Sequence, residues 1–236
     1  MKRREFMSNT AGFGAMIATG SLLSVAAPIA KKLTPPAKGK IPVAFTISEG
    51  VTVIDFAGPW EVFQDVMIRE RGSDHDDQMP FQLYTVSERT QPLTGSAGLK
   101  LVPDYTFENA PEPKVIVVPA QSGSKALHAW LRKMSASTDV LMSVCTGAFQ
   151  LGRAGLLNGK SATTHHDFLD RFAQSFPEVK VKRGLRFVEE DETISTSGGL
   201  SSGIDLALRV VERYFGRDAA QATATYMEYQ SKGWIV

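Results

Sequence analysis

The 236-residue chain holds a single cysteine, and the residues around it, Ser143-Val144-Cys145-Thr146-Gly147, spell out its clearest chemistry. A deprotonated cysteine sulfur is a strong nucleophile. These five residues have the small-x-nucleophile-x-Gly form of a nucleophile elbow, with cysteine in place of serine. Val140 to Val144 is a short apolar run that reads as a strand buried on both faces. Ala148, Phe149, Leu151 and Ala154 then recur at helical spacing, and Gly155 caps that helix. Cys145 is therefore predicted at a sharp strand-to-helix turn. There the unpaired N–H groups and the positive end of the helix dipole favour thiolate over thiol and can hold a developing negative charge. The alternative is an inert cysteine packed as a small hydrophobe, which needs neither Gly147 nor a helix start at that point.

The elements that must position this turn follow from the pattern on either side. Val43 to Ile47 reads as a first strand, and Val51 to Ile54 continues extended to Asp55. A helix from Gly58 or Pro59 through Trp60, Val62, Phe63, Val66 and Ile68 ends near Gly72. Asp55 stands at the junction of this first βα unit, with an N-cap role as the alternative to a chemical one. Ser73 to Asp77 is an acidic loop. Phe81 to Val86 alternates as a strand, Leu99 to Val102 is a shorter one, and Asp104 to Pro113 is a connection. Val115 to Val118 is the most plainly buried strand, followed by the Pro119–Gly123 loop and a helix from Ser124 to Lys133 with Ala126, Leu127, Trp130 and Leu131 inward. Beyond the elbow come a short strand, a helix from Phe168 to Phe176, strands near Lys180, Leu185 to Val188 and Thr193 to Thr196, and a helix opened by a Ser202–Asp205 capping box. A last helix runs from about Asp218 to Glu228.

Strands alternating with helices predict an α/β sandwich around a mostly parallel sheet. Ligands in such folds bind above the carboxyl ends of the strands, where Asp55, the Pro119–Gly123 loop and Cys145 all fall. Among the four histidines, His75 lies in the acidic loop, His128 on a helix surface and His166 at the periphery. His165 is a candidate base or thiolate partner, with a structural role as the alternative. No spacing of histidine, cysteine and carboxylate has the form of a metal site.

The chain opens with Lys2-Arg3-Arg4-Glu5-Phe6 and an apolar stretch broken by glycines, a twin-arginine export signal over residues 1–30 with A-x-A-like cleavage sites at its end. An uncleaved anchor is the alternative, although the stretch is short for a bilayer. Lys31 to Lys40 is a linker, and residues 41–236 form one domain. Loss of residues 1–30 removes three basic and one acidic residue from totals of 26 and 25, leaving a nearly neutral domain. Nothing in that balance calls for nucleic acid. The expected compartment is the periplasm, with membrane contact only during export.

Four stretches in order carry a family resemblance: Ile54-Asp-Phe-Ala-Gly-Pro-Trp-Glu61, Ser143-Val-Cys-Thr-Gly-Ala148, Leu156 to His165, and Thr196-Ser-Gly-Gly-Leu-Ser-Ser-Gly-Ile-Asp205. The sequence resembles the ThiJ/PfpI superfamily, of class I glutamine-amidotransferase-like fold, over Ile41 to Phe215. Within it the chain is most similar to isonitrile hydratases and to the ligand-binding halves of AraC-type regulators. The resemblance implies a flavodoxin-like three-layer sandwich, a homodimer, no cofactor and a small-molecule substrate. It implies a hydro-lyase using Asp55, Cys145 and Thr146, with Ala120, Gln121, Gly147 and His165 lining the substrate or oxyanion site. Asp55, where relatives of peptidase or glyoxalase type carry glutamate, and Thr146, where the peptidases carry histidine, count against those activities. A glyoxalase-like or hydrolase activity on small carbonyl compounds and a non-catalytic small-ligand-binding domain are the alternatives. A Gly-Gly pair common in the family after the strand ending near Pro119 is replaced here by Ala120-Gln121, which narrows the pocket. In this reading the Asp55 carboxyl is raised by burial and by the neighbouring thiolate.

Overall fold

The structure is a computed structural model that describes residues 31–236; the twin-arginine reading of residues 1–30 falls outside them. In chain order the strands are β1 (Ile41–Thr46), β2 (Phe81–Ser87), β3 (Leu93–Thr94), β4 (Lys100–Leu101), β5 (Tyr105–Thr106), β6 (Val115–Val118), β7 (Val140–Ser143), β8 (Ser161–Ala162), β9 (Lys180–Val181), β10 (Phe187–Glu189) and β11 (Ile194–Ser197). The helices are α1 (Val53–Gln64), α2 (His75–Gln78), α3 (Lys125–Met134), α4 (Ala148–Arg153), α5 (Leu169–Ser175), α6 (Ser202–Phe215) and α7 (Arg217–Tyr226).

Seven strands form one sheet in the order β10-β11-β7-β6-β1-β2-β5. All its pairings are parallel except that of β10 with β11. β6 is Val-Ile-Val-Val and wholly buried, because branched side chains suit a strand covered on both faces. Val115 and Val117 pack into a core shared with α1, α6 and α7 residues such as Phe63, Leu208 and Ala220. Ile116 and Val118 face a second core shared with α3, α4 and α5 residues such as Leu131, Leu151 and Phe172. The result is the expected three-layer α/β sandwich. Among the described residues no helix is long and apolar enough to cross a membrane.

The order reverses between β1 and β6, because the chain first builds outward from β1 to β2 and then returns to β6 and β7. A crevice must open above the carboxyl ends at such a reversal. Into it run the segments after β1, β6 and β7, which carry Asp55, Ala120 and Cys145.

Several local readings are corrected. α1 starts at Val53, not at Gly58 or Pro59, and carries Pro59 in its interior. Burial of Phe56, Val62 and Phe63 on its inner face outweighs the one helical bond that Pro59 cannot donate. The helix ends at Gln64 rather than near Gly72. The acidic loop includes the single turn α2, and the Asp104–Pro113 connection contributes the edge strand β5. The Ser202–Asp205 capping box does not form: the N-cap is Ser201, without a side-chain cap bond, and Asp205 is drawn inward to Arg186. An ion pair with hydrogen bonds around it exceeds the value of a cap.

Candidate active site

The elbow is bent by Cys145 itself, whose φ of 58° is left-handed, a conformation that costs energy for a residue with a Cβ. The turn is held from several sides. The Cys145 N–H donates to the Gly198 carbonyl at 2.9 Å, the Thr164 hydroxyl donates to the Cys145 carbonyl at 2.8 Å, and the Val144 N–H donates to the Val118 carbonyl at 3.0 Å. Gly147 is required by packing, since a Cβ there would lie 1.9 Å from the Val118 carbonyl oxygen. A 3-10 turn over Cys145–Gly147 then leads into α4, so the helix begins as a tight turn rather than as the continuous helix the spacing predicted.

Asp55 is the third residue of α1 and is fully buried. It is not the N-cap, a position taken by Thr52; its side chain instead ties α1 to the loop after β6. Its Oδ2 accepts the Ala120 N–H at 3.1 Å, while Oδ1 is buried with no hydrogen-bond partner. The Cys145 thiol and the Leu200 N–H lie close enough to bias its charge.

Burial lifts the Asp55 carboxyl from 3.8 to about 6, against the pull of the Ala120 N–H, the thiol and the Leu200 N–H. The thiol thus opposes the rise instead of causing it, contrary to expectation. Burial, then the Asp55 charge, push the Cys145 thiol up to about 12, and the Thr146 and Leu200 N–H groups oppose this. The helix-start argument for a standing thiolate is therefore corrected. Two short-range N–H groups do not offset desolvation and a neighbouring carboxylate. At neutral pH the pair is a carboxylate beside a protonated thiol, one negative charge shared across a buried contact.

Leu200 was not foreseen. It too has a left-handed backbone, φ 52°, which turns its N–H toward the pair from the loop after β11. The signal for it was present in Gly198-Gly199, two glycines directly after a strand, which mark a tight turn at a sheet's carboxyl end.

The other predicted residues divide. Thr146 supplies its N–H toward the sulfur and lines a cavity of about 260 Å³ with Gln121, Phe149 and Arg153. Gln121 also borders a larger cavity, about 470 Å³, above β1 and β2. The Ala120 N–H, expected to face a substrate, is occupied by Asp55. The Gln121 amide donates to the Thr46 carbonyl at 3.1 Å and hydroxyl at 2.9 Å, and its buried Oε1 has no partner. His165 is placed as an N-cap, its Nδ1 accepting the Asp167 N–H at 3.3 Å. That arrangement favours the structural alternative over a thiolate partner. His128, expected on a helix surface, bonds Gln150 Oε1 at 2.9 Å.

Fold and site together define an α/β protein with a cysteine elbow facing a buried carboxyl. The chain matches the DJ-1/PfpI family over residues 42–213 and belongs to that family. It is 33% identical over 196 residues to an isonitrile hydratase of Pseudomonas putida, covering 79% of this chain and 78% of that protein. It is 30% identical to the HTH-type transcriptional regulator CdhR of Pseudomonas aeruginosa over 59% of this chain, and spans only 43% of the regulator's length. A solved THiJ/PfpI family protein from Pseudomonas syringae superposes with a TM-score of 0.68 at 25% identity, covering 92% of this chain and 83% of that one.

Proposed function

We propose that this chain is an exported, cysteine-dependent hydratase that adds water to a small isonitrile and releases an N-substituted formamide, working as a homodimer. The observation that supports this most is the buried Asp55 carboxyl with an unpartnered oxygen beside the Cys145 thiol. Similarity to the isonitrile hydratase points the same way; export rests on the Lys2-Arg3-Arg4 opening and the homodimer on family resemblance.

In the proposed cycle the Asp55 carboxylate takes the thiol proton as Cys145 sulfur approaches the terminal carbon of R–N≡C. The protonated Asp55 delivers that proton to the same carbon while the C–S bond forms, giving the thioimidate R–N=CH–S–Cys. Asp55, again a carboxylate, draws a proton from water as the oxygen attacks. That proton passes to nitrogen, the C–S bond breaks, and the product R–NH–CHO leaves with the thiol reprotonated. The Thr146 and Leu200 N–H groups stabilise sulfur whenever it carries negative charge, and the Thr146 hydroxyl orients substrate or water.

Incubating the purified chain and a Cys145→Ala variant with cyclohexyl isocyanide and with methylglyoxal tests this reading. The expected outcome is N-cyclohexylformamide from the first compound, with none from the variant. Lactate from methylglyoxal alone would instead assign a glyoxalase-like activity. Turnover of neither, with saturable binding, would assign a ligand-binding domain of the kind the similarity to the regulators suggests.

A further inference from the structure

We propose that His165, His166 and Asp167 form a site for a first-row divalent transition ion such as zinc or nickel, on the rim of the loop that follows β11. Consecutive residues do not face one another along a helix, which is why their spacing gave no reason to expect a site. Here His165 precedes the helical turn with an extended backbone (φ −53°, ψ 136°), and the chain then winds into a 3-10 turn over His166–Phe168. The bend brings one ligand atom from each residue within 4.8 Å of the other two.

The individual spacings suit a small cation. His166 Nε2 lies 3.1 Å from one Asp167 oxygen, and His165 Nδ1 lies 3.8 Å from the other. Ligands at about 2.0–2.2 Å around tetrahedral zinc stand about 3.3–3.5 Å apart. The two imidazoles are stacked, with centroids 4.4 Å apart and 25° between their planes, so the exposed His166 ring must turn out of the stack for both in-plane lone pairs to meet one ion. His165 is the fixed member. Its ring is edge-on to Phe168 and packs on Gly199 so closely that a Cβ there would lie 2.1 Å from its Cδ2. His166 and Asp167 are exposed and free to close on an ion, at the cost of the long Asp167 N–H contact to Nδ1. The remaining coordination positions face water.

Two imidazoles and one carboxylate select borderline cations over magnesium or calcium, which prefer all-oxygen shells. The other histidines do not compete as a pair, since His128 is bonded to Gln150 and His75 lies in α2. His165 packs its Cδ2 edge on Gly199, which immediately precedes Leu200, so the Nδ1 edge that would hold the ion faces away from the loop that approaches the Asp55–Cys145 pair.

Calorimetric titration of the full chain with zinc chloride, and separately with magnesium chloride, tests the site. The expected result is one zinc bound per chain with micromolar affinity and no heat from magnesium. His166→Ala and Asp167→Asn should each weaken zinc by roughly tenfold or more, with His75→Ala unchanged. Nickel should broaden the His165 and His166 ring resonances first. Absence of zinc binding, or affinity unaltered by both substitutions, would overturn the proposal. So would zinc binding that disappears only in Cys145→Ala, which would assign the ion to the thiol. These readouts do not depend on turnover, so their failure is separate from failure of the hydratase reading.

Discussion

Among the described residues two aspartates are fully buried, and they are treated in opposite ways. Asp205, on α6, is saturated: Arg186 pairs with Oδ2, while the Tyr229 hydroxyl at 3.2 Å and the Ser231 hydroxyl at 3.0 Å donate to Oδ1. Its partners tie the C-terminal segment and the strand region before β10 to the start of α6. Asp55, on α1, accepts the Ala120 N–H at Oδ2, with the Leu200 N–H and the Cys145 thiol nearby, and its Oδ1 has no hydrogen-bond partner. A buried carboxylate with every lone pair engaged is a clamp; one left short of partners is poised to take a proton or a substrate. The same residue type is saturated with partners near one helix start and left short of them near the other.

Replacing each aspartate by asparagine should separate the two roles. Asp55→Asn is expected to lower turnover by about 10²–10⁴-fold, the usual contribution of a general acid–base group. It should also stabilise the fold at neutral pH. An acid whose folded value stands above its unfolded value binds protons on folding, so stability falls as pH rises from 3.8 towards about 6. The full fall is about 3 kcal/mol, and it should be missing from the variant in denaturant titrations at pH 4 and pH 7. A variant that loses stability at pH 7 would show Asp55 to be a clamp after all. Asp205→Asn should act the other way, costing about 2–3 kcal/mol because it strips a buried network of its charge. The partial exposure of Arg186 keeps the loss from being larger. Its midpoint in urea should drop while the activity of the remaining folded protein persists.

Most of the frame was legible in the residues. The runs around β1, β6 and β7 are too uniformly apolar to be anything but buried parallel strands, and Gly147 after Cys145 signals a turn pressed against a neighbouring strand. The start of α1 was misread because Pro59 looks like an opening residue, and tertiary burial overrode that local preference. The false capping box has the same cause, since Ser202 and Asp205 have suitable spacing but Arg186 lies far off in sequence and pairs with Asp205. The charge state of Cys145 was also out of reach. It depends on desolvation and on a carboxyl 90 positions earlier, neither of which has a local signature. The site residue wholly missed, Leu200, acts through its backbone, so its side-chain identity carried no hint.

The most direct test of the central claim is the pH profile of kcat/KM for cyclohexyl isocyanide hydration. A carboxylate that must accept the thiol proton predicts a rate that rises with pH to a plateau, with an inflection near 6, the value to which burial lifts Asp55. The account further predicts that Asp55→Asn abolishes this limb along with most of the rate. A profile flat from pH 4 to pH 7, or one whose inflection near 6 survives in Asp55→Asn, would contradict it.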